Sequence, residues 1–497
     1  MRKKLLIACL LCFPMLFFAQ EKIKLSAAIN GPLKHLPSNS NYFTDNGGKA
    51  IFLTGSHTWE NFQDIFSEEN MPKLDWEEYL EMMESKHHNF MRFWVWEHPQ
   101  GASWSTMPIT IEPMPYQRTG KERASDGKPG FDLNKWNVDY FKRIRQRVID
   151  AGERGIYVSI MLFQGWSLNK LNIAGTDPFN SHPYNQKNNI NGIDVKDKGP
   201  DKDASPTLHS LDNKEVLSRQ EAYVRKVIET VNDLDNVLYE IINEGGTTAW
   251  CYHMINYIRQ TEKAMAKQHM IGLGSRIAPP MQNKILWDSP ADYISPCWEP
   301  QLWAVPGSSF VDDYGTNPPI NKAAKVCIID TDHLWGYGGH YVWAWKSFMR
   351  GLNPIFMDSW KPIPGKMTTP EMDWAFVTGG ISRLSRDYPD YAALRDNMGY
   401  INDLSKRVDL TNMKPREDLS TTKYCLANPG KEYLVYYPHF TGTATINLSD
   451  TEGELSIEWF IPSTNKTMKA PKTVKGGYFI VVEAPTSMDA VLYLKRI

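Results

Sequence analysis

Cysteine is scarce in this chain, with six in 497 residues. Cys9 and Cys12 lie in an apolar N-terminal stretch, while Cys251, Cys297, Cys327 and Cys425 are far apart and show no C-x-x-C spacing. Neither a disulfide scaffold nor a cysteine zinc site is indicated. An excess of one charge is lacking too: 55 Lys and Arg against 57 Asp and Glu leave a net charge of -2. There is no basic tract, and neutralising a phosphate backbone needs clustered cations, so nucleic acid is not an expected partner. The longest apolar run, Leu5 to Phe18, is interrupted by Pro14 and falls short of the roughly 20 residues that span a bilayer. No membrane span is expected. The chain also lacks a G-x-S-x-G elbow, an H-E-x-x-H zinc motif, a P-loop and a glycine-rich dinucleotide fingerprint. Chemistry by side chains alone, with no metal and no organic cofactor, is the expectation.

The N-terminus carries the first positive signal. Met1-Arg2-Lys3-Lys4, the apolar segment to Phe18, and Ala19-Gln20 before polar Glu21 form the charged region, short apolar core and small-residue exit of a secretory signal. The mature chain is expected to begin near Gln20 or Glu21, in the periplasm or outside the cell. Cys9 behind Leu5-Leu6-Ile7-Ala8 loosely suggests a lipoprotein box, but the apolar segment continues well beyond it, which makes lipid anchoring the minor alternative. The 17 Trp and 23 Tyr are a second signal, since flat rings with one polar edge stack on sugar faces. Most must be core.

From about residue 41, short apolar runs alternate with helix-length segments, the rhythm of βα units. Strands are expected at 50–55, 90–96, 156–163, 237–243, 269–273, 293–295, 325–329 and 354–357. Tyr140, Phe141, Ile144 and Val148 mark a helix before the third strand, and Val224, Val227, Ile228 and Val231 mark another before the fourth. Eight such units predict an α/β fold, a (β/α)8 barrel over residues 21–414. The polar stretch from Trp166 to Asp212, after strand three, is expected to wall the cleft, because loops this long are usually functional. After about residue 415 the pattern changes to short alternating strands at 433–437, 443–448, 455–461, 478–482 and 490–494, punctuated by turn residues. A small antiparallel β-sandwich is predicted over 415–497.

The fourth strand ends in Asn243-Glu244, followed at once by Gly245-Gly246. A carboxyl at the C-terminal end of a barrel strand suits a group that protonates a glycosidic oxygen, and the neighbouring amide suits a sugar hydroxyl. The alternative is that Asn-Glu merely caps the next helix. Glycoside hydrolysis needs a second carboxyl, and strand seven offers Asp330 and Asp332 in Asp330-Thr331-Asp332-His333. Asp332, further out and beside His333, is the preferred nucleophile or base. Asp330 and Glu299, after strand six, are the alternatives, and whichever aspartate is not used can bind turn amides. Arg92, on strand two among aromatic residues, must be paired if buried and can hold a carboxylate ionised. His57 and Trp59 beyond strand one, and Trp298, Trp335 and Trp360 ending strands six to eight, are candidates for sugar contact. Asp358 is a candidate hydroxyl ligand. His87-His88, before strand two, reads as structural.

These residues resemble those of a large clan of (β/α)8 retaining glycosidases that includes cellulases and β-galactosidases. The opening Tyr42-Phe43-Thr44-Asp45-Asn46-Gly47-Gly48 through Gly55 and the tail from Tyr424 to Tyr436 are similar to apiosidase-like hydrolases of Bacteroidetes. Those hydrolases pair a barrel with a C-terminal β-sandwich labelled collagen-binding, a label not carried over here because such a sandwich commonly serves as support. The resemblance implies Glu244 as general acid/base, a strand-seven carboxylate as nucleophile, and retention. Strand seven departs from the clan by ending in Asp where Glu is usual. One methylene less moves the expected carboxyl separation from about 5.5 Å toward the range above about 6.5 Å that admits a water. The expected function is exported hydrolysis of glycosidic bonds in plant or algal polysaccharides or oligosaccharides. The rivals are a non-catalytic carbohydrate- or matrix-binding protein and a polysaccharide lyase.

Overall fold

The eight apolar runs form eight parallel strands in a computed structural model of the chain. The structure describes residues 29–66, 72–101, 109–168, 177–195, 205–274, 283–297, 314–321, 324–334, 336–360, 389–438 and 442–497. The strands are β1 (Gly55–His57), β2 (Phe90–Phe93), β3 (Tyr157–Gln164), β4 (Val237–Asn243), β5 (Met270–Gly274), β6 (Tyr293–Ser295), β7 (Val326–Asp330) and β8 (Asn353–Met357). Their ladder order is β1-β8-β7-β6-β5-β4-β3-β2. The remaining seam closes where Thr54 O accepts from Asn89 N and Phe90 N. Gly55 is needed there, because a Cβ would collide with the Phe90 carbonyl.

The run expected to form strand one joins the ladder only at Gly55. Asn353 Oδ1 accepts from Leu53 N, and Asn89 bonds both Thr54 N and Phe52 O. Side-chain amides thus satisfy the backbone that a strand neighbour would otherwise pair. Among the described residues, six helices of nine or more residues surround the barrel: α1 (Trp76–Ser85), α2 (Val138–Glu153), α3 (Lys214–Val231), α4 (Thr248–Glu262), α5 (Tyr341–Met349) and α6 (Pro389–Arg407). The periodic face of α3 is buried through Val224, Val227, Ile228 and Val231, and each such side chain contributes about 1.5–3 kcal/mol. Asn213 caps α3 and Thr247 caps α4. His87 pairs with Asp403, and His88 Nε2 bonds Arg395 O, so both histidines hold α6 against the chain that enters β2.

A hairpin of Tyr116–Arg123 and Pro129–Trp136, absent from the sequence expectations, fills the segment between β2 and α2. The described parts of the loop after β3 include short 3-10 turns and a single α-helical turn, Ser205–Leu208, and a buried amide holds the turns: Asn188 Nδ2 donates to Asn180 O and His182 O. Beyond α6 the chain builds a seven-stranded antiparallel sheet and a separate pair, Thr443–Asn447 with Phe479–Glu483. The strands Cys425–Asn428 and Lys466–Lys469 add to those predicted. One face of the larger sheet packs with the small pair around Tyr433, Val435, Trp459 and Leu492. Its other face presents Leu434 and Tyr436 to the barrel helices, where Trp345 of α5 stacks on Tyr436 at 6.0 Å.

Candidate active site

The site is organised by one buried cation. β2 reads Phe90-Met91-Arg92-Phe93 and is wholly buried, so the guanidinium must be matched by charge and hydrogen bonds. Arg92 Nε donates to Glu240 Oε2 at 2.8 Å, while Nη2 donates to Glu240 Oε1 at 2.5 Å and Asn243 Oδ1 at 2.6 Å. From the other side, Nη1 donates to Asp330 Oδ2 at 3.0 Å and Asp332 Oδ2 at 2.9 Å. Arg92 therefore ties β4 to β7 across the barrel mouth. Glu240 is absent from the sequence candidates, although a signal for it existed: a lone acid in one apolar strand and a lone base in another must meet if both are buried.

The two aspartates of strand seven differ in their bonds. β7 ends at Asp330, and Thr331–His333 form a 3-10 turn. The side chain of Asp330 caps that turn by accepting from Asp332 N at 3.0 Å, and it also meets His57 Nε2 at 2.9 Å. Burial raises the Asp330 pKa, but the neighbouring His57 and Arg92 outweigh it and hold the group below the usual carboxylate range. Asp332 lies past the cap. Burial raises its pKa to about 6, with Arg92 opposing and Asp330 adding to the rise.

Glu244 follows β4 with φ +46°, a left-handed backbone costing a non-glycine residue about 1 kcal/mol. It is 8% exposed and does not cap α4, a role taken by Thr247 Oγ1 accepting from Trp250 N. Burial, then the charge of Asp332, raises its pKa well above the ordinary value, with Arg92 opposing. Side-chain ligand atoms of Glu244, Asp332 and His333 all lie within 4.8 Å of one another. Carboxyls this close to one another resist joint ionisation.

Hydrogen bonds fix the surrounding amides. Asn243 Oδ1 accepts from Arg92, so His333 Nε2, 3.2 Å from the same oxygen, is its second donor. His333 Nδ1 then accepts from Ser295 Oγ at 2.9 Å, and burial lowers the His333 pKa to about 3, leaving the ring neutral. Asn243 Nδ2 donates to Gln164 Oε1 at 3.1 Å. Among the described residues, Glu244, Asp332 and His333 are the group whose spacing could admit a metal ion. Their bonding does not fit one: His333 Nε2 carries a proton, and Asp332 Oδ2 already faces the Arg92 guanidinium.

The remaining candidates divide. His57 is fully buried, with its ring stacked on Trp94 at 5.4 Å. Trp59 is nearly buried among Trp94, Trp96, Trp166 and Tyr337. Asp358 is buried and pairs through both oxygens with Arg395. Trp360 packs on Tyr79 and Arg395, away from the carboxyls. Trp298, Glu299 and Trp335 lie outside the described residues. Gln164, Ser295, Trp166 and Tyr337 were not readable from the sequence, since each gains its place from a long-range contact.

A family model described as a domain of unknown function, DUF6298, matches residues 100–304, less than half of the chain. No curated protein matches it. Among solved structures, the chain is similar to a glycoside hydrolase family 5 protein from Bacteroides vulgatus ATCC 8482. Identity is 13%, covering 94% of this chain and 94% of that one, with a TM-score of 0.59. A second protein of that organism, described as a candidate glycoside hydrolase, shares 12% identity over 95% of this chain and 83% of its own, at TM-score 0.59. A third structure, described as a glycoside hydrolase, shares 12% identity over 94% and 97%, at TM-score 0.55. At these identities the likeness establishes the fold, a (β/α)8 barrel of the kind found in glycoside hydrolases.

Proposed function

We propose that the protein is an exported, retaining glycoside hydrolase acting on plant or algal polysaccharides or their oligosaccharides, with residues 21–414 as catalytic domain and 415–497 as support. The observation that carries this reading is the convergence of Glu244 and Asp332 within 4.8 Å at the barrel mouth. This is the approach of their nearest oxygens, shorter than the separation of the whole carboxyl groups, and it supports the roughly 5–5.5 Å spacing of retaining enzymes over the about 6.5–9.5 Å of inverting ones. The high pKa of Glu244 suits a proton donor. Its proton passes to the glycosidic oxygen as that bond breaks, while an Asp332 oxygen bonds the anomeric carbon. Glu244, now a carboxylate, then takes a proton from water, whose oxygen displaces Asp332 and restores both groups. Arg92 steadies the Asp332 carboxylate as it leaves. Asp330 and Glu240 act through Arg92 as positioning residues.

The test is release of reducing ends from a panel of plant and algal polysaccharides by the mature protein and by Glu244→Gln, with proton NMR of the first-formed anomer. Release by the wild type alone, with the anomeric configuration kept, is expected. Equal release by both proteins refutes the role of Glu244, and inverted product refutes Asp332 as nucleophile. Unsaturated, ultraviolet-absorbing products would mark a lyase instead. Absence of release with binding kept in both proteins would mark a carbohydrate-binding protein.

A further inference from the structure

One chain of hydrogen bonds in the mouth has no part in the chemistry just described. It runs from Ser295 at the end of β6 through His333 to Asn243, the residue before Glu244, and on to Gln164 at the end of β3. All four residues are buried. Gly274, at the end of β5, makes room for the histidine, because a Cβ there would stand 3.1 Å from His333 Cε1. The ring is thus seated against the backbone of β5 as well as held by its two bonds.

The direction of every bond in this chain is fixed. Asn243 Oδ1 takes a hydrogen from Arg92 Nη2, so His333 Nε2 must donate to it as well. A neutral imidazole carries one hydrogen, which leaves Nδ1 as an acceptor and Ser295 Oγ as its donor. Asp332 Oδ2, 3.7 Å from His333 Nε2, is too far away to compete. Arg92 is divided among Glu240, Asp330, Asp332 and Asn243, whereas among the described residues His333 Nε2 donates to Asn243 alone. On the other side of the amide, Nδ2 gives one hydrogen to Gln164 Oε1, an oxygen that also accepts from Trp166 N. An amide nitrogen has two hydrogens, and the second goes to no described residue. Turning the amide over would set its nitrogen against two donors and its oxygen against Gln164 Oε1.

We infer that Ser295 and His333 are positioning residues that lock the Asn243 amide. Ser295 selects the His333 tautomer, and that tautomer holds Asn243 Oδ1. The spare hydrogen of Asn243 Nδ2 is thereby kept for the sugar hydroxyl beside the reacting carbon, where hydrogen bonds strengthen in the transition state. The part played by the hydroxyl rests on the glycan-hydrolase reading, but the lock itself does not.

The experiment uses the mature full-length protein with isotope-labelled histidine and reads the protonated ring nitrogen of His333 by nitrogen–proton correlation NMR, with His333→Gln identifying its signal. Nε2 should carry the hydrogen, Nδ1 should be bare, and Ser295→Ala should shift the Nδ1 signal. Rates are then measured on glucomannan, galactomannan, xylan, arabinan and laminarin. On whichever of these the wild type degrades, His333→Leu should lower kcat about tenfold with KM within about twofold. His333→Gln, which offers an N–H near the place of Nε2, should recover most of that loss. A hydrogen on Nδ1, a kcat of His333→Leu within about twofold of the wild type, or His333→Gln falling as far as His333→Leu overturns the positioning role. Glu244-dependent degradation together with a hydrogen on Nδ1 keeps the hydrolase and removes the lock. Degradation of none of the glycans, with Nε2 carrying the hydrogen and Nδ1 answering to Ser295, keeps the lock and counts against the hydrolase.

Discussion

Two buried glutamates at opposite ends of the β4–α4 unit differ in how their carboxyls are held. Glu262, at the end of α4 and the base of the barrel, is as buried as any residue of the site. Its Oε1 accepts from Asn232, Tyr239 and His269 Nδ1, and its Oε2 from His269 N. Both of its oxygens are tied to α3, β4 and the entrance of β5 by four donors. Glu244 sits at the mouth on a left-handed backbone, facing Asp332, with its pKa displaced by burial and by that charge. Burial of an acid beside a histidine is common to both ends. A carboxyl whose pKa is raised by burial and by a second carboxyl beside it is found only at the mouth, among the described residues.

The same contrast exists within the mouth, between Asp332 and Asp330, and there the largest effect is expected. Asp332→Gly should reduce kcat by at least about 10⁴, as loss of a nucleophile does. Added azide should restore turnover and yield a glycosyl azide. Asp330→Asn should instead strip charge from Arg92 and His57 and lower unfolding stability by about 3 kcal/mol, with no return on azide. Rescue of the Asp330 variant and not of the Asp332 variant would exchange their roles. For the two glutamates, Glu244→Gln should cost about 10²–10⁴ in kcat without loss of stability. Glu262→Gln should keep kcat and lower unfolding stability by about 2–3 kcal/mol, since one bond partner of an acceptor-only carboxylate is lost. Urea titration and steady-state rates on both variants decide this.

Most of the fold was legible because it is written in local periodicity. The sixth strand lies at 293–295 as expected, and most of the others lie within a residue or two of their expected ends. The first and the end of the second, which stops at Phe93 rather than Trp96, are the exceptions, for Asn89 and Asn353 in the one and Asn61 and Gln63 in the other replace the ladder by side-chain bonds that no pattern announces. At the site, Asn243, Glu244, Arg92 and Asp332 were legible from residue type and place on a strand. Their partners were not. Glu240 needed the pairing of two strands, and Gln164, Trp166 and Tyr337 needed the loops to be folded. For Asp358, the place at the end of β8 was legible, but its pairing with Arg395, 37 residues later, was not.

The smallest effects lie in pH dependence, where the carboxyls of the mouth should show opposite signs. Under the proposed mechanism turnover needs Asp332 ionised and Glu244 protonated, so kcat/KM should be bell-shaped. Its acid limb should lie near the raised Asp332 value of about 6, and its alkaline limb should follow Glu244. Stability should follow linkage. Glu244 has a folded-state pKa above its unfolded one, so its contribution is complete below the ordinary Glu range and is lost as pH rises toward the folded value. Glu244→Gln does not titrate, and its advantage over the wild type should grow above pH ~4.3 by up to about 1.4 kcal/mol per pH unit. Asp330 is depressed in the fold, so its contribution is present above the ordinary Asp range near ~3.9 and fades as pH falls through the folded value. The penalty of Asp330→Asn should therefore shrink in acid. Urea midpoints of the three proteins from pH 3 to 8 would show two slopes of opposite sign, and parallel profiles would mean that the structure assigns the mouth's charges wrongly.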